Sequence, residues 1–204
     1  MIVPEQAQER LIAGNQRFVT RLQQGGGVLT GNTPELSPEG QSPFAIILGC
    51  SDSRVPAELV FDQGLGDLFV IRIAGNIVAP SQIGSVEFAA EQFSTPLAVV
   101  LGHSRCGAVS ATIQQVRQRD GGISPNLKSI VDRIRPAVEP LIELAPDKNE
   151  SDLMESAVRA NIRAATHHLR HGSAILERLV AEGRLKIVAA EYSLETGRVE
   201  FFDW

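Results

Sequence analysis

The first stretch of the chain alternates apolar and polar residues in the way that is typical of an amphipathic helix. This pattern covers residues 4–23, and its apolar positions are Leu11, Ile12, Phe18, Val19 and Leu22. Gly25–Gly27 ends the pattern, and residues 25–43 are rich in Gly, Pro, Ser, Thr and Asn. Because such a composition favours turns and loops over regular elements, we predict a helical arm followed by a linker.

Three short apolar runs follow the linker, at residues 44–49, 68–74 and 96–102. Each run is rich in Ile, Val and Phe and is too short for a typical helix, which is the pattern of strands buried in a parallel sheet. The segments next to these runs have helical patterns and cover residues 56–61, 80–94 and 107–119. Strands and helices that alternate in this way predict an α/β fold.

The second half of the chain is predicted to be mostly helical. Residues 125–144 and 151–182 have helical patterns, with breaks expected near Pro136, Pro140 and Pro146.

The chain ends with two more predicted strands, at residues 185–193 and 198–203, joined by a turn at Glu195–Gly197. The predicted fold is a mostly parallel central sheet flanked by helices, with an antiparallel C-terminal edge strand and an N-terminal helical arm. A length of 204 residues suits a single domain, with the arm and linker at 1–43 and the α/β core at 44–204.

Composition and charge exclude several classes of protein. A net charge of −5 argues against a general nucleic-acid binder, which needs a basic surface. The longest apolar runs fall far short of the roughly 20 residues that a membrane helix needs. The polar N-terminus lacks the pattern of a signal peptide. We therefore expect a cytoplasmic protein with no membrane span and no nucleic-acid partner.

The chain has only two cysteines, too few for a disulfide-rich scaffold, so a single disulfide, a reactive thiol or a metal site remain. Cys50 directly follows the first predicted strand, and His103 and Cys106 follow the third. The carboxyl ends of parallel strands meet at one edge of a sheet, so we expect these three side chains to converge. Two thiolates and an imidazole suit Zn²⁺ and leave its fourth position open, as in catalytic zinc sites. The alternative is that both cysteines are inert core thiols.

Asp52 and Arg54 lie two and four residues after Cys50. An Asp–Arg pair keeps the carboxylate ionised and oriented. Asp52 could accept a hydrogen bond from zinc-bound hydroxide, or become a fourth ligand and so close the site; the alternative is an ordinary ion pair. A second group, His167, His168 and His171, has no accompanying carboxylate or cysteine motif, so we expect solvated or helix-end histidines there.

The motifs CSDSR at 50–54 and GHSRCGAV at 102–109, with GDLFVIRIAGN at 66–76 and SVEFAAEQF at 85–93, resemble those of a β-class carbonic anhydrase, closer to its plant-like branch. The resemblance implies one Zn²⁺ per chain and an Asp–Arg catalytic dyad. It also implies a homodimer or higher even oligomer, with the first helix around the partner and each active site near the interface. The implied zinc ligands are Cys50, His103 and Cys106, and the implied dyad is Asp52 and Arg54.

The resemblance also implies a set of substrate-binding residues. Gln41 and the backbone N–H of Gly107 would hydrogen-bond the substrate. Phe69, Ala74 and Phe88 would line an apolar CO₂ pocket, in some relatives across the subunit interface. Ile47 stands where a second branch carries the Trp of an inhibitory bicarbonate site, so that site is not expected.

The expected activity is the reversible hydration of CO₂ to bicarbonate and a proton. Two alternatives remain. A carbonyl sulfide or carbon disulfide hydrolase would use the same scaffold and the same chemistry at zinc. A zinc-holding scaffold protein without turnover is the other, although it would not need the Asp–Arg pair.

Overall fold

The computed structural model describes residues 2–25, 40–118, 122–147 and 149–202. Helix α1 covers Pro4–Gln23, the residues predicted for the helical arm. Proline at its first position is favourable because the first amide of a helix has no intrahelical partner. Most of the predicted linker, residues 26–39, lies outside the described residues.

The five predicted strands form one sheet in the order β2-β1-β3-β4-β5. The first four are parallel to their neighbours, and β5 pairs with β4 in the antiparallel direction. The predicted fold class, including the antiparallel edge strand, is therefore confirmed. The strands are β1 (Ala45–Gly49), β2 (Leu68–Arg72), β3 (Leu97–His103), β4 (Lys186–Tyr192) and β5 (Val199–Phe202).

The register brings the carboxyl ends of the central strands to the same edge. Gly49, the last residue of β1, lies opposite Arg72 of β2 and Leu101 of β3. His103, the last residue of β3, lies opposite Tyr192 of β4. Residues that follow these strands are therefore brought together.

Six more α-helices are described, and one of them, Pro125–Leu144, differs from the prediction. They are α2 (Ala57–Val60), α3 (Pro80–Gln92), α4 (Gly107–Gln118), α5 (Pro125–Leu144), α6 (Glu150–His171) and α7 (Ala174–Ala181).

The predicted breaks at Pro136 and Pro140 are wrong, since both prolines lie inside α5. An interior proline costs about 3 kcal/mol because it removes a hydrogen bond and crowds the preceding turn. Both prolines are on the exposed side, where water can bind the freed carbonyls, while Val131 and Ile134 bury the opposite side. The helix does end before Pro146, as expected.

The segment predicted to be helical over 151–182 contains two helices, α6 and α7. The break falls at Gly172–Ser173, where the Ser173 hydroxyl accepts the backbone N–H of Leu176 and begins α7. A serine that caps a new helix in this way stabilises its first turn by about 1 kcal/mol.

The sheet is covered on both faces, and its side chains alternate between them. Ile47 and Val99 face a cluster that includes Leu11 and Phe18 of α1. Ile46, Leu48 and Val100 face the larger cluster formed with α3 to α7. None of the helices among the described residues is long and apolar enough to cross a membrane.

Helix α1 lies on the sheet of its own chain, and its expected contact with a partner subunit stays a prediction. Asn15, which is 6% exposed, holds the helix on the sheet. The Nδ2 atom donates to the carbonyls of Val60 and Gly197 at 3.0 and 2.9 Å, and Oδ1 accepts the N–H of Val199 at 2.8 Å. These bonds satisfy a buried amide and tie the arm to the C-terminal hairpin.

Candidate metal centre

Three buried side chains converge at the carboxyl edge of the sheet. Cys50 follows β1, His103 ends β3, and Cys106 precedes the first residue of α4. One ligand atom from each lies within 4.8 Å of the other two, and the two sulfurs are 4.0 Å apart. Within the described part of the chain, this is the only group of three His, Cys, Asp or Glu side chains with such spacing.

The donor atoms of this cluster fit a soft divalent cation. The Nδ1 atom of His103 lies 2.9 Å from the carbonyl of Ser104, which can only accept, so Nδ1 carries the proton. The Nε2 atom is therefore left with a free lone pair, and it is buried without a hydrogen-bond partner. The two sulfurs are 4.0 Å apart, so they do not form a disulfide in this structure. Two thiolates bound to one tetrahedral zinc ion are expected to lie about 3.8 Å apart, which is close to this distance.

The two cysteines influence each other's protonation. The hydrogen bond between them lowers the pKa of Cys50 and raises the pKa of Cys106, and burial raises the latter further. A buried pair of sulfurs therefore retains a proton in the absence of metal. A bound divalent cation would displace that proton, because cysteine binds metal as the thiolate.

Backbone amides approach both sulfurs. The N–H of Gly75 donates to Cys50 Sγ at 3.3 Å. The amides of Ala108 and Val109, in the first turn of α4, hydrogen-bond the Cys106 sulfur and oppose part of the rise in the Cys106 pKa that the Cys50 hydrogen bond and burial cause. Such donors stabilise negative charge on sulfur and draw electron density from it.

The predicted ion pair is present in a bidentate geometry. The Nε and terminal nitrogen of Arg54 lie 2.9 and 2.8 Å from the two oxygens of Asp52, and the Arg54 amide adds a third bond of 3.0 Å. The Arg54 guanidinium holds the pKa of the Asp52 carboxyl well below its usual range. One Asp52 oxygen lies 3.9 Å from His103 Nε2, yet the carboxylate is not part of the three-residue cluster.

The loop that carries Cys50 and Asp52 is also fixed by Arg72 at the end of β2. Its Nε donates to the Cys50 carbonyl at 3.2 Å and its terminal nitrogen to the Asp52 carbonyl at 2.6 Å. One side chain thereby sets the backbone of both the metal-binding and the ion-pairing residue.

The loop from His103 to Cys106 is held from the hairpin between β4 and β5. The Ser104 hydroxyl donates to Glu195 at 2.8 Å and accepts the Leu194 amide at 3.0 Å. Arg105 pairs with the same glutamate at 2.8 Å. The φ of Arg105 is +55°, which is rare for a residue with a side chain, and it reverses the chain between His103 and Cys106.

A single chain brings only some of the predicted substrate residues to the cluster. Ala74 begins a 3₁₀ turn, Ala74–Asn76, beside the Cys50 sulfur, and Gly107 follows Cys106 with its amide at the exposed start of α4. Phe69, the second residue of β2, is about 10 Å from the end of its strand. Gln41 is exposed ahead of the amino end of β1.

Phe69 packs in an aromatic group with Phe88 and Phe93, with ring centroids 5.7 to 6.2 Å apart. Phe88 is 52% exposed. The group lies on the edge strand β2 and on α3, so within one chain Phe69 and Phe88 do not meet at the metal cluster.

His167, His168 and His171 are exposed near the end of α6, as expected. The rings of His167 and His171 are 4.6 Å apart, and His171 contacts Glu177 at 3.1 Å.

Two residues that contact the site were not predicted from the sequence: Gly75, which donates to Cys50, and Glu195, which contacts Ser104 and Arg105. Gly75 lay inside a family motif but carried no assigned role. Glu195 was predicted only as part of a turn, and no signal in the sequence indicated its contact with the loop after β3.

Comparisons with known proteins agree on one family. The sequence model of the family described as carbonic anhydrase matches residues 45–199. Carbonic anhydrase 2 of Mycobacterium tuberculosis is 35% identical over 201 residues, covering 98% of this chain and 93% of the relative. The carbonic anhydrase of Mycolicibacterium smegmatis is 38% identical over 164 residues, covering 79% and 76%. A tetrameric β-carbonic anhydrase from Sordaria macrospora has a TM-score of 0.71 at 25% identity, over 81% of this chain and 83% of the other.

The fold is of the α/β class, and a cluster of two cysteines and a histidine at the carboxyl edge of its sheet is typical of a metalloenzyme. The chain belongs to the carbonic anhydrase family, in its β class. Membership of the family implies a metal, and the cluster is suited to one.

Proposed function

We propose that this protein catalyses the reversible hydration of CO₂ to bicarbonate and a proton, with one Zn²⁺ held by Cys50, His103 and Cys106. The observation that carries the proposal is the three-residue cluster with the bidentate Asp52–Arg54 pair beside it. A purely structural metal site would have no use for an oriented carboxylate 3.9 Å from a ligand nitrogen. This pair therefore favours turnover over the scaffold alternative, and no observation favours carbonyl sulfide or carbon disulfide.

A zinc ion held by these three residues would supply Lewis acidity, which would make hydroxide available from water near neutral pH. Asp52 remains ionised, accepts the hydrogen of the attacking O–H group and so orients its lone pair toward CO₂. Arg54 holds both oxygens of that carboxylate. The Gly107 amide, at the positive end of α4, stabilises the negative charge that develops on a substrate oxygen, and Ala74 adds apolar surface.

The geometry supports a site whose fourth metal position is open. Both Asp52 oxygens are engaged by Arg54, so the carboxylate would have to break this bidentate pair to become a ligand. The ion pair thus keeps that position free for water and bicarbonate.

We also propose a homodimer or a higher even oligomer. A second copy would cover the edge strand β2 and the half-exposed Phe88. In such an oligomer, Phe69, Phe88 and Gln41 of one chain would line the active site of the other copy, as the resemblance implies. A single chain does not place the two phenylalanines at its own metal cluster. The Sordaria macrospora relative is a tetramer. Residues 1–204 would form one domain of each subunit.

A cytoplasmic setting is part of the same proposal. Cys50 and Cys106 are free and 4.0 Å apart, close enough to be joined in an oxidising compartment, and their role as ligands requires the reduced form.

Stopped-flow measurement of CO₂ hydration, with metal content determined on the same samples, tests the function. We expect about one zinc per chain and hydration in the wild type. Asp52→Ala should keep its zinc and lose about 10- to 100-fold in activity, as is usual when a group supporting a metal site is removed. Cys106→Ser should lose metal and activity together.

Asp132→Ala is the matched control, because Asp132 forms an exposed ion pair with Lys128 on α5 and contacts nothing at the metal cluster. It should behave as the wild type. Stoichiometric zinc without hydration at neutral to alkaline pH would refute the proposed function.

A further inference from the structure

Asn161 is a buried amide in the apolar stripe of α6. It follows Leu153 and Ala157 and precedes Ala165 at the four-residue spacing of one helix face, and it is only 2% exposed. Burying an amide costs free energy unless it is hydrogen-bonded, so an asparagine at this position calls for a partner.

The partner of Asn161 is the residue that contacts a metal-binding sulfur. The Asn161 Nδ2 donates to the carbonyl of Gly75 at 2.9 Å, across 86 positions of sequence. The N–H of Gly75 in turn donates to Cys50 Sγ at 3.3 Å. Gly75 is thus held at its carbonyl by α6 and presents its amide to the sulfur.

The conformation of Gly75 requires such support. Its φ of +69° is in the left-handed region, inside the 3₁₀ turn Ala74–Asn76. The Asn76 amide donates to the carbonyl of Ile73, the residue before the turn, at 3.0 Å. Packing and the Asn161 hydrogen bond together hold this left-handed residue, and the hydrogen bond is the contact that fixes the direction of its peptide group.

We propose that Asn161 is a positioning residue of the metal centre, which fixes the Gly75 turn so that its amide remains on the Cys50 sulfur. The need for this follows from charge. Two thiolates bring a divalent cation close to neutrality, which weakens it as an electron acceptor. An N–H donor on a thiolate draws charge back from the metal, and partners of this kind tune metal affinity and reactivity.

This inference rests on the proposed function only in that Cys50 is taken as a metal ligand. Turnover is not required, so it can be tested with cobalt-loaded protein and no substrate. Co²⁺ binds the same kinds of ligand and has a sulfur-to-metal charge-transfer absorption that reports electron density on the thiolates.

The test compares Asn161→Ala with Thr166→Ala. Thr166 is on the same helix, is fully buried, and donates to the Ile162 carbonyl within that helix. Both variants lose a buried hydrogen bond and should lower the melting temperature. Only Asn161→Ala should move the charge-transfer band to lower energy and release Co²⁺ to a chelator about tenfold faster.

Asn161→Leu, which keeps most of the side-chain volume, serves in place of Asn161→Ala if the alanine variant does not fold. A wild-type band and release rate in the Asn161 variant would overturn the proposal, as would equal changes in Thr166→Ala. Failure of CO₂ hydration in the wild type would refute the proposed function and leave these readouts intact, so the two failures are distinguishable.

Discussion

The two loops that supply the metal-binding residues are held in different ways. The loop after β1, which carries Cys50 and Asp52, is fixed from inside the protein by the Gly75 amide and from β2 by Arg72. The loop after β3, which carries His103 and Cys106, is fixed mainly from the surface by Glu195. The side chain of Glu195 is 44% exposed.

The difference matches what each loop contributes. The loop after β1 must hold the Asp52 carboxylate in a fixed direction as well as supply Cys50, whereas the loop after β3 supplies only the ligands His103 and Cys106. Exposed ion pairs contribute about 0–1 kcal/mol, so the contact with Glu195 is worth little in stability. The Gly75 turn is buried and has little room to move. We therefore expect changes at the first loop to have much larger effects than changes at the second.

The largest effect is expected from Gly75→Ala. A Cβ here would lie 2.7 Å from Ile134 Cδ1 and 3.0 Å from Ala108 Cβ, at a φ that residues with side chains rarely adopt. Strain and overpacking should reduce the free energy of unfolding by about 1–3 kcal/mol and weaken metal binding. Urea unfolding of the metal-free protein and metal content of the purified protein measure the two effects.

Gly84→Ala is the matched control for this substitution. Gly84 lies inside α3, where a Cβ would meet nothing within 4 Å. Alanine there should stabilise the protein by about 0.5–1 kcal/mol through helix propensity. A Gly75→Ala protein as stable and as metal-loaded as the wild type would show that the first loop does not depend on this turn.

The metal cluster could be predicted from the sequence because the signals that indicate it are short and contiguous. Each apolar run ends next to a ligand-bearing motif, and the geometry of a parallel sheet then brings Cys50 and His103 to one edge. The spacing after Cys50 also predicted the Asp52–Arg54 pair, which the structure shows as a bidentate contact, and the family resemblance added its catalytic role.

The parts that could not be predicted depend on contacts between distant residues. The hydrogen bond from Asn161 to Gly75 joins positions 86 residues apart, and no local pattern indicates which loop a buried asparagine meets. Pro136 and Pro140 were expected to break α5 because propensity alone does not show that they lie on its solvated side. Likewise, no pattern within α1 shows that Asn15 ties the helix to its own hairpin.

A smaller effect is expected at the second loop. Glu195→Ala removes the contacts with Ser104 and Arg105, and the left-handed Arg105 then loses its ion pair. Metal release to a chelator should become faster by up to about fivefold, which corresponds to an exposed pair worth under 1 kcal/mol. Glu200 lies on the same hairpin and pairs with Arg159 of α6, so Glu200→Ala, which removes this pair, should release metal at the wild-type rate. An effect of Glu195→Ala as large as that of Gly75→Ala would remove the distinction between the loops.

The smallest effect concerns the pH dependence of that contact in the metal-free protein. The Ser104 hydroxyl, with help from Arg105, lowers the pKa of the Glu195 carboxyl. An acid whose pKa is lower in the folded state contributes stability above its ordinary value of about 4.3, and that contribution is lost as pH falls through the lowered value. Wild type should therefore lose slightly more stability than Glu195→Gln as the pH is lowered from neutral into this acidic range. Urea midpoints of the two proteins at matched pH measure the difference. If the urea midpoints of the two proteins fall equally as the pH is lowered, the charge of Glu195 contributes nothing. The hairpin would then hold the second loop through packing and uncharged hydrogen bonds alone.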